Sequence, residues 1–228
     1  MVLTVHHLGI SQSERIVWLC EELGLDYDLK LYQRSPVLSP PEYLALHPLG
    51  AAPVIQDGDL TLAESGACLE YIIHIHGAGK LTVQPGAKHY ADYLYWLHFG
   101  NGTLQPAVSR AMVLKFTGLP DDNSMRVRVD SKQGQMLQFL NQRLGATKAW
   151  LAGDEFTAAD IMVVFSLTTM RKFFAIDLSE YEAILAYLQR VGGREAYQRA
   201  MAKGDPGLDV PSILLGPPPP PFEGVWKR

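Results

Sequence analysis

The rhythm of apolar residues along this chain changes once, across a glycine-bearing stretch from Gly77 to Gly86. Before that stretch, strand-like alternation and helical spacing take turns; after it, only helical spacing remains. A single helical bundle or an all-β sandwich cannot produce that order. It requires a small mixed sheet with helices on its faces, followed by a helical domain.

The elements can be placed in more detail. Leu3-Thr-Val-His6 alternates like a strand, and Ile16, Leu19, Cys20 and Leu23 recur at i, i+3, i+4 and i+7. A helix is therefore expected from about Ser13 to Leu23, ended by Gly24. Tyr27–Tyr32 reads as a second strand, and Pro40-Pro41-Glu42 opens a short helix through Leu46 that Pro48 stops. Pro53-Val-Ile55 and Leu60-Thr-Leu62 flank Asp57-Gly58, the signature of a hairpin. A third helix is expected over Glu64–His76, with Gly77 just past its end. Residues 1–80 thus form a β-α-β-α-β-β-α domain. Residues 87–203 form an all-helical one, with segments near 87–116, 125–145, 157–173, 179–191 and 194–203. Gly216 followed by Pro217–Pro221 cannot be helix, so 204–228 is expected to be an extended, proline-rich surface tail.

Composition narrows the function classes. Hydrophobic residues make up 47% and charged residues 19%, with a net charge of −4, which disfavours a nucleic-acid binder. No apolar run is long enough to span a membrane, and the first residues lack the features of a secretory signal. Cys20 and Cys68, the two cysteines, both fall within apolar helical patterns and read as buried thiols in a reducing, cytoplasmic setting.

Several residues carry chemistry. Ser11-Gln-Ser-Glu14 has the spacing of a capping box, in which the serine serves only the helix start. The same position, at a helix N-terminus, also favours an anion, so the hydroxyl has a second reading as a hydrogen-bond donor to a thiolate. Glu64-Ser65 opens the third helix. The pair serves either that helix start or a ligand's ammonium and carboxylate groups. Ala52-Pro53 precedes a strand, where a cis bond would turn the Ala52 backbone toward a ligand. Thr157 and Asp160 form a capping box before Ile-Met-Val-Val-Phe. His6 and His7 are neighbours in a strand and point to opposite faces, and His74 and His76 also face apart, so no metal is expected.

Taken in order, these motifs resemble one family, the cytosolic glutathione transferases. The matching stretches are Ser11-Gln-Ser-Glu-Arg15, His47-Pro-Leu-Gly-Ala-Ala-Pro-Val-Ile55, Glu64-Ser-Gly-Ala67 and Phe156-Thr-Ala-Ala-Asp-Ile161. They are similar to the family's S-x-x-x-R, N-P-x-G-x-x-P-x-L, E-S-x-A and F-T-x-A-D-I patterns, in a serine-type branch that is theta- or phi-like or fungal or bacterial. The resemblance implies a thioredoxin-like N-terminal α/β domain that binds glutathione, an all-α C-terminal domain that shapes an apolar co-substrate pocket, a homodimer and a role in detoxification. It implies that Ser11 holds the thiolate, with Ser13 the alternative if the alignment slips. Glu64 and Ser65 would grip the γ-glutamyl end, Ala52 and Pro53 the cysteinyl part, and Thr157 and Asp160 would be structural. His98, Phe99, Gln105 and Met112 are candidates for the co-substrate pocket. Glutathione is then a co-substrate and no cofactor is implied.

The chain also departs from the pattern. No tyrosine ends the first strand and no cysteine lies near 11–13. Ala51 and Leu38-Ser39 stand where the family often has groups that hold the glycyl carboxylate, which leaves Arg34 as a substitute anchor. Two other readings stay open on this sequence: a glutathione-dependent peroxidase acting on organic hydroperoxides, and a binding or regulatory module that keeps only the fold.

Overall fold

Strand β1 (Leu3–Leu8) is the spine of the N-terminal sheet in the computed structural model, which describes residues 2–35 and 38–223. The strand order is β2-β1-β3-β4. Strand β2 (Tyr27–Tyr32) runs parallel to β1, with Leu3 opposite Tyr27, because helix α1 (Glu14–Leu23) carries the chain back between them. Strands β3 (Val54–Asp57) and β4 (Leu60–Ala63) are antiparallel and make the expected hairpin, with Gly58 at φ +60° in its turn. Gly24 ends α1 at φ +63°, and Leu25 N–H returns to the Cys20 carbonyl.

The sheet is covered on both faces. Helix α2 (Pro41–Leu44) brings Tyr43 onto one face, against Leu8 and Val54. The other face packs under α1 and α3 (Ser65–Ile75), where Val5, Ile16, Leu19, Ile55, Leu69, Ile72 and Ile73 lose all contact with solvent.

The chain divides into two compact units, and the division differs from the one the sequence suggests. Residues 191–211 belong to the same unit as the N-terminal 82 residues. The cause is helix α9 (Glu195–Gly204), which lies against α1. Trp18 meets Tyr197 edge-on at 4.9 Å. Arg194 grips both Glu22 oxygens at 2.6 Å, and Arg199 and Lys203 pair with Glu21. The second unit comprises Val83–Arg190 with Ser212–Pro221.

The second unit is helical. It contains α4 (Tyr90–Phe99), α5 (Gln105–Phe116), α6 (Ser124–Thr147), α7 (Ala158–Leu167) and most of α8 (Glu182–Gly192). The segment expected to be one helix over 87–116 is split by a π-turn at Gly100–Leu104. Gly100 backs onto Met162, whose carbonyl would stand 2.8 Å from any added Cβ, so only glycine allows this approach of α4 to α7. Every residue of α7 is buried, and the expected Asp160 anchor is in place. Its carboxylate accepts the Thr157 N–H at 2.9 Å, the Leu151 N–H at 3.0 Å and the Tyr187 hydroxyl at 3.1 Å.

The C-terminal stretch is not extended throughout, as the sequence suggests. It contains α10 (Val210–Ile213), preceded by a turn at 205–209, and beyond α10 Pro218–Phe222 run without helix or strand. The buried Arg171 guanidinium binds the carbonyls of Leu215, Gly216 and Pro217, which ties this stretch to the helical unit. The expectation for 224–228 lies outside the described residues. Among the described residues, no helix is long and apolar enough to cross a membrane.

Candidate active site

The turn between β1 and α1 is pinned from two directions. Arg34 donates from Nε to the Gly9 carbonyl and from Nη2 to the Ile10 carbonyl, both at 2.9 Å. Asp205, just past α9, accepts the Ile10 N–H on Oδ1 at 2.8 Å. Ile10 is held at φ +52°, a conformation that β-branched residues avoid, and these bonds offset its cost. Arg34 is therefore a brace for this turn. The role of substitute glycyl anchor does not fit a guanidinium committed to backbone carbonyls.

Ser11 follows the braced turn and is 5% exposed. The sequence spacing puts Ser11 at the helix cap, but the structure does not. Helix α1 begins at Glu14, with Ser13 at its N-cap position. Ser11 Oγ accepts the Ser13 N–H at 3.2 Å and lies 2.7 Å from Ser13 Oγ. The reason is local: Glu14 N–H bonds the Ser11 carbonyl and Arg15 N–H bonds the Gln12 carbonyl, a tight turn that leaves Ser11 outside the first α-helical turn.

Gln12 and Arg15 connect this turn to the other expected binding segments. Gln12 Nε2 donates to the Ala52 carbonyl at 2.8 Å, next to the cis Ala52–Pro53 peptide. The fully buried Arg15 donates from Nη1 to Gln12 Oε1 at 2.9 Å and to Ser65 Oγ at 3.4 Å. Burial lowers the Arg15 pKa from the usual arginine range, and the neighbouring Glu14 carboxylate works against that shift. Ser65 opens α3 in a buried position, while Glu64 is exposed at φ +73°. The first N–H groups of α3 have no acceptor within the helix, so an anion fits there. Hydrogen bonds thus join Gln12 and Arg15, which follow Ser11, to Ala52 beside Pro53 and to Ser65 beside Glu64.

Both histidines of β1 are buried and bonded. His6 lies 2.9 Å from the Tyr32 hydroxyl through Nδ1 and 3.0 Å from Gln56 Oε1 through Nε2. His7 lies 2.9 Å from Ser13 Oγ through Nδ1 and 3.1 Å from Asp205 Oδ2 through Nε2. Among the described residues, no group of three or more His, Cys, Asp or Glu side chains is arranged to hold a metal.

Comparison with known proteins places this neighbourhood in context. Residues 1–74 match the family model "Glutathione S-transferase, N-terminal domain" and residues 103–195 match "Glutathione S-transferase, C-terminal domain". A solved glutathione S-transferase from Actinobacillus pleuropneumoniae is 34% identical, with a TM-score of 0.83 over 92% of this chain and 96% of its own. The chain belongs to the glutathione S-transferase family. A curated relative of the transferase, glutathione S-transferase 3 of Schizosaccharomyces pombe, is 28% identical over 96% of this chain and 97% of its own. A glutathione transferase of Phanerochaete chrysosporium, solved with oxidised glutathione, shares the fold at a TM-score of 0.71 and 21% identity, over 88% of this chain and 94% of its own.

The residues expected to line the transferase's co-substrate pocket divide by burial. Phe99 is 4% exposed and packs among Tyr95, Trp96 and Phe139, so it is a core residue and not a pocket wall. His98 is exposed on α4, and Gln105 and Met112 are half-buried on α5. Sequence reasoning missed Asp205, Gln12 and the bracing role of Arg34, and saw Ser13 only as an alternative to Ser11. The one local signal was His7, an inward-facing histidine on a central strand, which has to find polar partners once buried.

Proposed function

We propose that the transferase conjugates the glutathione thiolate to small apolar electrophiles, with Ser11 donating a hydrogen bond to the sulfur. The observation that carries this reading is Ser11 itself. It stands in a strained, doubly braced turn ahead of α1, and Gln12 and Arg15 tie that turn to Ala52 and Ser65. In this reading the Ala52 backbone, beside Pro53, pairs with the cysteinyl part. Glu64, Ser65 and the α3 N-terminus receive the γ-glutamyl group.

The magnitudes are sufficient. A thiol with a pKa of about 8.5 is only a few per cent ionised at neutral pH. Lowering it to about 6.5 requires about 2.7 kcal/mol of preference for the anion. A hydrogen bond to a charged group contributes about 1.5–3 kcal/mol. A nearby helix N-terminus adds about 0.3–1 kcal/mol. No general base is then needed.

The test is the ultraviolet thiolate absorbance of glutathione bound to the protein, titrated from about pH 5 to about pH 9. A thiolate formed near pH 6.5 in the wild type and lost in Ser11→Ala supports the reading. Full conjugating activity in Ser11→Ala, with the bound thiol unmoved, overturns it. Assaying organic hydroperoxides beside aryl halides separates peroxidase from conjugating chemistry, which use the same thiolate.

A further inference from the structure

Behind Ser11 lies a continuous buried chain of hydrogen bonds. Asp205 Oδ2 is 3.1 Å from His7 Nε2, His7 Nδ1 is 2.9 Å from Ser13 Oγ, and Ser13 Oγ is 2.7 Å from Ser11 Oγ. His7 and Ser13 are 1% and 0% exposed. Asp205 Oδ1 is held by the Ile10 N–H, which leaves Oδ2 for the ring. Gly204 presses on the same ring: a Cβ there would stand 3.1 Å from His7 Nε2.

The proton inventory of this chain allows two orientations. Ser13 Oγ receives the Leu8 N–H at 3.1 Å, so one lone pair and one proton remain for His7 and Ser11, beside a long contact to the Leu8 carbonyl at 3.4 Å. With an ionised Asp205 and a neutral ring, the ring proton sits on Nε2. Ser13 then donates to Nδ1, and Ser11 must donate to Ser13. With one more proton on the His7–Asp205 pair, Nδ1 carries a proton and donates to Ser13. Ser13 then donates to Ser11, whose oxygen also accepts the Ser13 N–H. In that second orientation the Ser11 proton has no acceptor among the described residues and is free for a sulfur.

We propose that Ser13, His7 and Asp205 are positioning residues that set the direction of the Ser11 hydroxyl, and that one proton on the His7–Asp205 pair turns that hydroxyl toward the thiolate. The proposal rests on Ser11 being the thiolate's donor. The charged surroundings of the ring are few. Asp205 and the C-terminal pole of α9 face it, and Arg34 approaches Asp205 from the segment after β2. Lys203 on α9 is paired with Glu21 on α1, Glu14 and Arg15 of α1 offset one another, and Lys30 of β2 acts on His6 across the sheet.

The experiment compares wild type, Asp205→Asn, Ser13→Ala and Ser11→Ala in kcat against pH, with glutathione and chlorodinitrobenzene as substrates. Loss of the relay proton gives the wild type an alkaline limb, a fall of about 10- to 100-fold, the size of one charge-assisted hydrogen bond. In Asp205→Asn the side-chain oxygen still accepts the Ile10 N–H and the amide donates to His7 Nε2. The neutral ring must then carry its proton on Nδ1, and the alkaline limb disappears. Ser13→Ala removes the competing acceptor and the limb with it. A structural role alone lowers activity equally at every pH. An unchanged limb in both variants, or a flat wild-type profile, overturns the relay.

Nitrogen-15 shifts of the His7 ring give a second readout in wild type, independent of any variant's folding. Nδ1 is expected to be protonated with glutathione thiolate bound, and a bare Nδ1 overturns the relay. Ser11→Ala keeps the two failures apart: full activity there sinks the Ser11 reading, whereas its loss alongside a persistent limb sinks only the relay.

Discussion

Arg15 donates to Gln12 Oε1 at 2.9 Å, and that bond fixes the amide so that its Nε2 meets the Ala52 carbonyl at 2.8 Å. A fully buried cation thereby orients a half-buried neutral side chain that braces the Ala52–Pro53 segment. Gln12→Ala removes the brace without opening the core. It is expected to raise KM for glutathione about tenfold with little change in kcat, since the lost contact acts on ground and transition state alike. Steady-state kinetics with glutathione varied decides it, and an unchanged KM refutes the bracing role. The melting temperature should fall by about 5–12 °C, the effect of losing two hydrogen bonds, one of them from the buried Arg15 guanidinium, in a chain of this size.

Docking of α9 on α1 responds to acid. Burial works to raise the Glu21 pKa, but hydrogen bonds from Lys203, Tyr27 and Arg199 outweigh it and hold the carboxyl below its ordinary range. A depressed carboxyl stabilises the fold above its unfolded value and loses that contribution as pH falls through its folded one. Glu21→Gln is therefore expected to melt below wild type at about pH 7, with the two converging toward about pH 3. Melting curves at both pH values check this, and a gap that does not close refutes it.

The legible and illegible parts of this fold differ in how far apart in the chain their causes lie. The β2 bounds, the Asp57-Gly58 hairpin, the α1 stop at Gly24 and the Thr157–Asp160 anchor all rest on neighbouring residues, and the sequence announces them. Asp205 reaches His7 across 198 positions, and nothing near either residue marks the pairing. The placement of α9 was illegible for the same reason, since its charges match Glu21 and Glu22 only after α1 has formed. At Ser11 the spacing was read correctly but the register was not, because a tight turn delays the helix to Glu14.

Arg171 holds the chain beyond α10 through a rigid fork of donors. Its guanidinium reaches the carbonyls of Ile176, Leu215, Gly216 and Pro217 at 2.6–2.9 Å. A lysine ammonium keeps the charge but cannot serve that spread of acceptors. Arg171→Lys is expected to cost about 3 kcal/mol, because buried carbonyls lose their partners. Hydrogen exchange at residues 213–216 should quicken well before the α7 amides do. Uniform protection in the variant counts against the clamp.

Asp160 provides the opposite pH test to Glu21. Burial raises its carboxyl to about 6, and the Thr157 N–H, the Leu151 N–H and the Tyr187 hydroxyl only partly counter that shift. A carboxyl whose folded pKa is raised favours the fold below its unfolded value, and that contribution is lost as pH rises through about 6. Asparagine removes the titration and turns an N–H₂ toward a donor, either at Thr157 or at Leu151 and Tyr187. Asp160→Asn is therefore expected to cost about 1–3 kcal/mol at neutral pH. The gap from wild type should widen as pH falls from about 7 to about 4.5, whereas the Glu21→Gln gap narrows as pH falls further, from about 4.5 to about 3. Denaturant melts of both variants across the two ranges read the two signs directly. A narrowing gap for Asp160→Asn would mean that its hydrogen bonds, and not burial, govern this carboxylate.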